Sequence, residues 1–425
     1  MSDTALPQIP ALRLRGSAAL GLIGAIAWRN LWRNRRRTLL SAASIAFSVA
    51  LLLFAMAMQS GAYRTMIDNA TRLLDGHVQV QRPGYLDDPR IGNVIEDVAD
   101  RLAIVRATPG VVGATPRIAA FVLVSGDDRS YGAQLLGVDP SGEQVLSSLP
   151  SLVAAGRYLG GGAEAYAGRV LARNIGASVG DQIVILGTTA TGGMAALAVT
   201  LVGTFSSGAT ELDRQLIEVP YAAVADAFEM SDSAHAIVVR TTSVERADAV
   251  ADALGKRLPG NDLALTWRAL LPDLHQAILF DRASSEVVYG VLAAVVSIGV
   301  LNGFLMTVFE RTREFGMLLA MGMRSSTLIG MLQLEALLLS SIGCAVGVAI
   351  GAPLVLWCGH TGISLGDDAG AALRVYHLAD RLYPVLAAPA VLKPVVLMVL
   401  CTQLAAWVPA LRVRRIQPVE ALRAA

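Results

Sequence analysis

Residues 38–61 read TLLSAASIAFSVALLLFAMAMQSG, more than twenty positions without a charged side chain. About 20 residues at 1.5 Å each cross a hydrocarbon core of about 30 Å, so this run is long enough to span a bilayer once. A signal peptide would carry an apolar stretch of about 7–15 residues close to the N-terminus. The run at 38–61 is longer and starts later. Uncharged runs recur at 287–309, 328–357 (interrupted only by Glu335) and 394–411. The expected fold is therefore membrane α-helical, with four transmembrane helices and a large mixed α/β extracytoplasmic domain between helices 1 and 2.

Composition agrees, with 54% hydrophobic and 16% charged residues, against about 25% charged in ordinary soluble domains. Arginine placement orients the chain. Arg13, Arg15, Arg29, Arg33, Arg35, Arg36 and Arg37 precede the first run, Arg311, Arg313 and Arg324 lie between the second and third, and Arg412, Arg414, Arg415 and Arg423 follow the fourth. The positive-inside rule then predicts nine segments. These are a cytoplasmic basic segment (1–37), span one (38–61), the outside domain (62–284), span two (285–309), a cytoplasmic loop (310–326), span three (327–357), an outside loop (358–393), span four (394–411) and a cytoplasmic tail (412–425). Cys344, Cys358 and Cys401 lie in or beside apolar runs and imply no disulfide framework. A net charge of +1 says little about partners, and no nucleic-acid partner is expected.

Span three carries Gly343, Gly347 and Gly351 four residues apart, and span two carries Gly299 and Gly303. Such stripes let helix backbones approach closely. Strongly polar groups within the spans are Gln59, Asn302, Gln333, Glu335 and Gln403, too few for the carboxylate, histidine or arginine relay of a pump or channel. Glu335, about two turns into its span, needs a partner. An arginine of the cytoplasmic collar is the expected one, in a structural pair rather than a transport role.

In the outside domain, residues 95–106 have helical periodicity stopped by Pro109-Gly110, and 119–124 with 134–138 flank Gly126-Asp127-Asp128 as a hairpin. Strands are expected at 182–186 and 197–202, with helices at 243–258 and 265–280 and loops at 160–162 and 187–193. His77, His235, His275, His360 and His377 lack metal-ligand spacing, so an enzyme is not expected. The two lysines, Lys256 and Lys393, lack the Walker A context. Any ATP-driven work then needs a partner subunit.

Residues 310–323, ERTREFGMLLAMGM, alternate charges and then offer Met317, Leu318 and Met321 as an apolar face. Two readings stand on the residues alone: a short amphipathic helix for a partner's groove, or a basic loop that fixes span orientation. Together with LQLEALLLSSIGCAVGVAIG at 332–351, this stretch resembles the permease core of the FtsX/MacB-type ABC transporters. The end, Pro409-Ala410-Leu411 through Pro418 to Arg423, and the start, Arg29-Asn30-Leu31-Trp32-Arg33, are similar to that family's ends, and Gly137-Val138-Asp139-Pro140 and Gly180-Asp181 to its extracytoplasmic domain.

The resemblance implies a mechanotransmission permease in a bacterial inner membrane, with both termini cytoplasmic. An ABC ATPase dimer would bind the coupling helix through Glu310, Arg311, Arg313, Glu314, Phe315, Gly316, Met317 and Met321. ATP and Mg would be held by that ATPase, with no cofactor in this chain, and a second permease subunit, identical or homologous, would complete the assembly. With four spans and no fused ATPase, the chain looks most like the lipoprotein-releasing permeases, whose cargo is a lipoprotein or another amphiphile of the outer leaflet. Efflux of antibiotics or peptides with a periplasmic adaptor, and a non-transporting relay to a cell-wall hydrolase, are the alternatives.

Overall fold

A computed structural model describes residues 16–127, 129–364 and 381–415. Arg13 and Arg15, Asp128 of the expected turn, residues 365–380 of the outside loop with His377, and the family-like terminus at 418–423 lie outside them. Among the described residues four helices are long and apolar enough to cross a membrane: Arg35–Asp75, Pro272–Glu310, Ser325–Thr361 and Ala388–Arg412. The chain divides into two units. One comprises residues 1–61, 281–362 and 383–425, the other 62–280 and 363–382.

In the helical unit the spans share one apolar core, in which Ile45, Val49 and Leu52 meet Ala293, Val300, Ala336, Leu339 and Met398. The glycine stripe of span three is its tightest seam. A Cβ at Gly343 would lie 2.7 Å from Ile45 Cβ, one at Gly347 2.6 Å from the Ala46 carbonyl oxygen, and one at Gly351 3.1 Å from Ala50 Cα. Spans one and three therefore touch backbone to backbone, the approach that small residues permit where lipid supplies no hydrophobic drive. On span two a Cβ at Gly303 would lie 3.6 Å from Ser41 Oγ, whereas one at Gly299 would meet nothing within 4 Å among the described residues. Space for a side chain is thus open at Gly299 among the described residues. Gly347→Val should cost about 1–3 kcal/mol through overpacking, read as a lower melting temperature in detergent, while Gly299→Ala should leave it unchanged.

An element that the segment reading left unstructured precedes span one, the helix Gly16–Arg33. Its Ala27 and Leu31 are buried, and it ends in an edge-to-face pair of Trp28 and Trp32 with ring centroids 5.9 Å apart.

The second unit holds ten strands in one hydrogen-bonded network: β1 Val78–Gln81, β2 Val111–Ser125, β3 Ser130–Val138, β4 Val153–Gly156, β5 Glu164–Gly168, β6 Gln182–Thr188, β7 Met194–Phe205, β8 Leu216–Pro220, β9 Ala236–Thr241 and β10 Leu263–Thr266. The order β10-β1-β9-β2 is all antiparallel. Helix Val98–Arg106 connects β1 to β2 and Ala247–Gly255 connects β9 to β10. These are two interlocked split βαβ units, the ferredoxin-like arrangement. Val78, Val80, Ile237 and Val239 pack with Val105, Val250 and Leu254 of the helices.

Strand β2 runs on into a second body. Its far half pairs β3 and β6, β3 pairs β8, β8 pairs β5, β5 pairs β7 and β7 pairs β6. That circuit closes a six-stranded barrel filled by alternating small and medium side chains, among them Ala120, Val122, Ala133, Ala165, Ile183, Val199 and Ile217. The expected hairpin is present with Phe121 opposite Gln134, and β6 and β7 pair as neighbours. The expected helix at 265–280 is corrected. Residues through Thr266 form β10 against β1, a short helix follows at Trp267–Leu270, and the long helix begins at Pro272. Proline disfavours the α region for the residue before it, and Leu271 takes φ −123°, ψ 66°. The loop expected at 187–193 narrows to a turn between β6 and β7, because Gly187 and Thr188 are already in β6.

Beside the barrel, Arg117 forks onto Glu143 with two 2.7 Å bonds and also donates to the Leu74 carbonyl. Glu218, fully buried, accepts from Tyr158 Oη at 3.1 Å, and its Oε1 has no hydrogen-bond partner among the described residues. Burial, followed by the nearby Glu143 charge, pushes the Glu218 carboxyl up to about 8. An acid with a raised pKa holds its proton longer folded than unfolded, so its contribution to stability is present below about pH 4.5 and is lost as pH rises through about 8. Glu218→Gln should flatten the fall in melting temperature across that window and leave the variant more stable than wild type at its upper end.

Candidate functional site

The charged residues at the basic end of the spans converge on one carboxylate. Glu335 is 5% exposed and accepts from Asn30 Nδ2 at 2.7 Å and from Arg311 Nη1 at 3.2 Å. Arg311 in turn gives its Nε to Glu314 Oε2 at 3.0 Å, and Glu314 takes Arg33 through its other oxygen at 2.7 Å. Arg37, in the first turn of span one, reaches Glu310 at 3.1 Å and donates to the Gly303 carbonyl. Asn30, Arg33, Arg37, Glu310, Arg311 and Glu335 line a cavity of about 180 Å³. Asn30 and Arg33 belong to the N-terminal helix, Arg37 to span one, Glu310 to span two, Glu314 to the short helix Thr312–Ala320 and Glu335 to span three, so five elements meet in one cluster of charged groups.

Paired charges are what make the arrangement tolerable. A lone carboxylate inside a span costs several kcal/mol, a cost that the guanidinium and the amide, both on Glu335 Oε1, partly offset. The Glu314 side chain lies outside the spans, and its hydrogen bond from Arg33 holds its carboxyl below the usual carboxylate range.

The short helix Thr312–Ala320 sits between spans two and three and has two distinct faces. Inward, Phe315 is 0% exposed and packs with Val308, Leu328, Leu332 and Ala410, with the Arg311 guanidinium 5.1 Å from its ring centroid. Gly316 is buried beside it. Outward, Arg313 is exposed, with Met317 at 45% and Met321 at 75% exposure. Spacings of four place these three on one stripe of a 3.6-residue helix. The residues grouped as one coupling surface by sequence therefore separate: Glu310, Arg311, Glu314, Phe315 and Gly316 turn towards the network or the core, and Arg313, Met317 and Met321 towards the outside. Asn30 was missed. Its signal was faint, an amide three residues from Arg33 in a basic segment with no visible partner.

Four spans, a large α/β domain inserted between the first two and a short charged helix between the second and third define an integral membrane permease architecture. Residues 38–257 match the MacB-like periplasmic core domain and residues 286–418 the FtsX-like permease C-terminal domain. The chain belongs to the FtsX/MacB family of ABC-type permeases, and its α/β unit is the family's periplasmic domain. Among its relatives, the lipoprotein-releasing system transmembrane protein LolC of Xylella fastidiosa (strain Temecula1 / ATCC 700964) is 25% identical over 94% of this chain and 98% of that protein. The pyoverdine export ATP-binding/permease protein PvdT of Pseudomonas entomophila is 27% identical over 93% of this chain but 58% of that protein. The periplasmic region of MacB from Actinobacillus actinomycetemcomitans superposes with a TM-score of 0.36 at 11% identity, covering 49% of this chain and 96% of that one.

Proposed function

We infer that this chain relays the ATP-driven closure of a separate ABC ATPase dimer to its periplasmic domain, and that the work done is release of a lipoprotein or another amphiphile from the outer leaflet of the inner membrane. The observation that carries the reading is the two-faced helix Thr312–Ala320. It offers a partner an apolar stripe while its buried side is tied through Arg311 to spans two and three and the N-terminal helix. ATP and Mg belong to the ATPase in this reading, both termini are cytoplasmic, and a second permease subunit matches the ATPase dimer. Support for outer-leaflet cargo comes from the small number of strongly polar side chains along the spans and from a LolC relative aligned over nearly its whole length.

Export of a small molecule is the second reading, favoured by the PvdT relatives. Proteoliposomes holding the permease and its ATPase decide between them. On the first reading, ATP releases a triacylated protein into solution in the presence of a soluble acceptor. Failure of release across several lipoproteins, with ATPase activity stimulated instead by a siderophore or drug, would transfer the assignment to export.

A further inference from the structure

At the end of the helical unit opposite the Glu335 network, spans one, two and four border an open groove of about 480 Å³. Its walls are apolar, with Leu52 and Met56 from span one and Val396, Leu397 and Leu400 from span four, and it also takes in Glu286 and Lys393. Lys393 Nζ lies 2.7 Å from Glu286 Oε1, and each side chain is 54% exposed. Glu286 is the last charge before the uncharged run 287–309, and Lys393 the last before 394–411. The pair therefore stands where hydrocarbon gives way to headgroups. Leu400 lies seven residues further along the same helix, about 10 Å deeper at 1.5 Å per residue.

We propose that this slot is a binding site for one membrane phospholipid with a zwitterionic phosphoethanolamine headgroup. The phosphate meets the Lys393 ammonium, the headgroup ammonium meets the Glu286 carboxylate, and one acyl chain lies along Leu397 and Leu400. An exposed ion pair by itself contributes little. The same two charges side by side, however, complement a ligand that also carries both signs a few ångströms apart. A headgroup with phosphate alone satisfies Lys393 and sets its negative charge beside Glu286, which is the source of discrimination. The volume falls within the range of about 300–1,000 Å³ typical of ligand pockets. The inference rests on the spans and is independent of the cargo.

The test is native mass spectrometry of the full-length chain in mild detergent, equilibrated with equal amounts of phosphoethanolamine and phosphoglycerol lipids of identical chains. Wild type should retain one phosphoethanolamine lipid with about tenfold preference, the scale of one charge-assisted contact. Glu286→Gln should erase the preference while keeping a lipid, and Lys393→Ala should lose about tenfold in occupancy. Leu397→Trp should empty the slot, with Leu400→Trp, on a more exposed position, as the substitute if the first fails to fold. Equal retention of both lipids by wild type, or an unaltered preference in Glu286→Gln, overturns the proposal. Displacement of the retained lipid by a triacylated peptide, one for one, also overturns it by giving the slot to cargo.

Discussion

Met317→Asp combined with Met321→Asp is expected to abolish association with the ATPase subunit while leaving the permease as stable as wild type. Both side chains are exposed in the isolated chain, so neither substitution opens a cavity or buries a charge within it. In a complex they would be the apolar knobs of a helix laid in a groove. Burying one such side chain contributes about 1.5–3 kcal/mol, so losing two weakens binding by at least about a hundredfold even before the cost of desolvating two carboxylates is added. Co-purification from cells expressing both subunits, with the permease's own melting temperature as control, reads the effect directly. Undiminished co-purification would remove the outer face of Thr312–Ala320 from the docking role. Gly316→Trp is a poor substitute for this test. Gly316 is buried beside Phe315, so an indole there would damage the permease itself, and lost association would say nothing about docking.

The division of that helix shows where sequence reasoning succeeds and where it stops. Charge-free runs are local signals, and all four spans were legible because crossing hydrocarbon demands about 20 apolar residues in succession. The β2–β3 hairpin was legible for the same reason, since alternation and the turn lie side by side. Closure of the barrel was not. It depends on three residue pairs between β2 and β6, Leu123 with Leu186, Val124 with Ile185 and Ser125 with Val184, and nothing in either segment names the other as a partner. The strand Leu263–Thr266 was hidden likewise. Its four residues carry no pattern of their own and become a strand because Val78–Gln81 offers an edge.

The site was half legible on the same grounds. Helical spacing placed Met317 and Met321 together, and the cost of a carboxylate in a span required a partner for Glu335. Which arginine met it, and that Asn30 joined, depended on how the N-terminal helix packs against span three. Leu31 from that helix enters the core beside Ala336 and Leu339, and this packing brings Asn30 within 2.7 Å of the carboxylate.

Glu335→Ala is the second change expected to have a large effect, and its interpretation needs a companion. Removing one partner of a buried ion pair typically costs about 3–5 kcal/mol, because the remaining charge is left in a poor solvent. Here Arg311, whose side chain is 10% exposed, would retain Glu314 as its carboxylate partner, and Asn30 would keep only a 4.0 Å contact to Met331 Sδ among the described residues. A lower melting temperature and lower ATP-driven activity are both expected, yet their coincidence cannot separate a relay from a strut. Replacing both partners with apolar residues, Arg311→Met with Glu335→Leu, can do so. Exchanging a buried pair for well-packed apolar side chains is commonly neutral or stabilising, so the double variant should recover most of the stability and still bind the ATPase through the untouched Arg313, Met317 and Met321 face. If the pair carries motion from the short helix into span three, ATP-driven release stays at least about tenfold below wild type, the scale of one lost charge-assisted contact. A double variant that binds ATPase and releases cargo at the wild-type rate would reduce Arg311–Glu335 to a structural tie and move the relay to the apolar packing of Phe315 against Leu328 and Leu332.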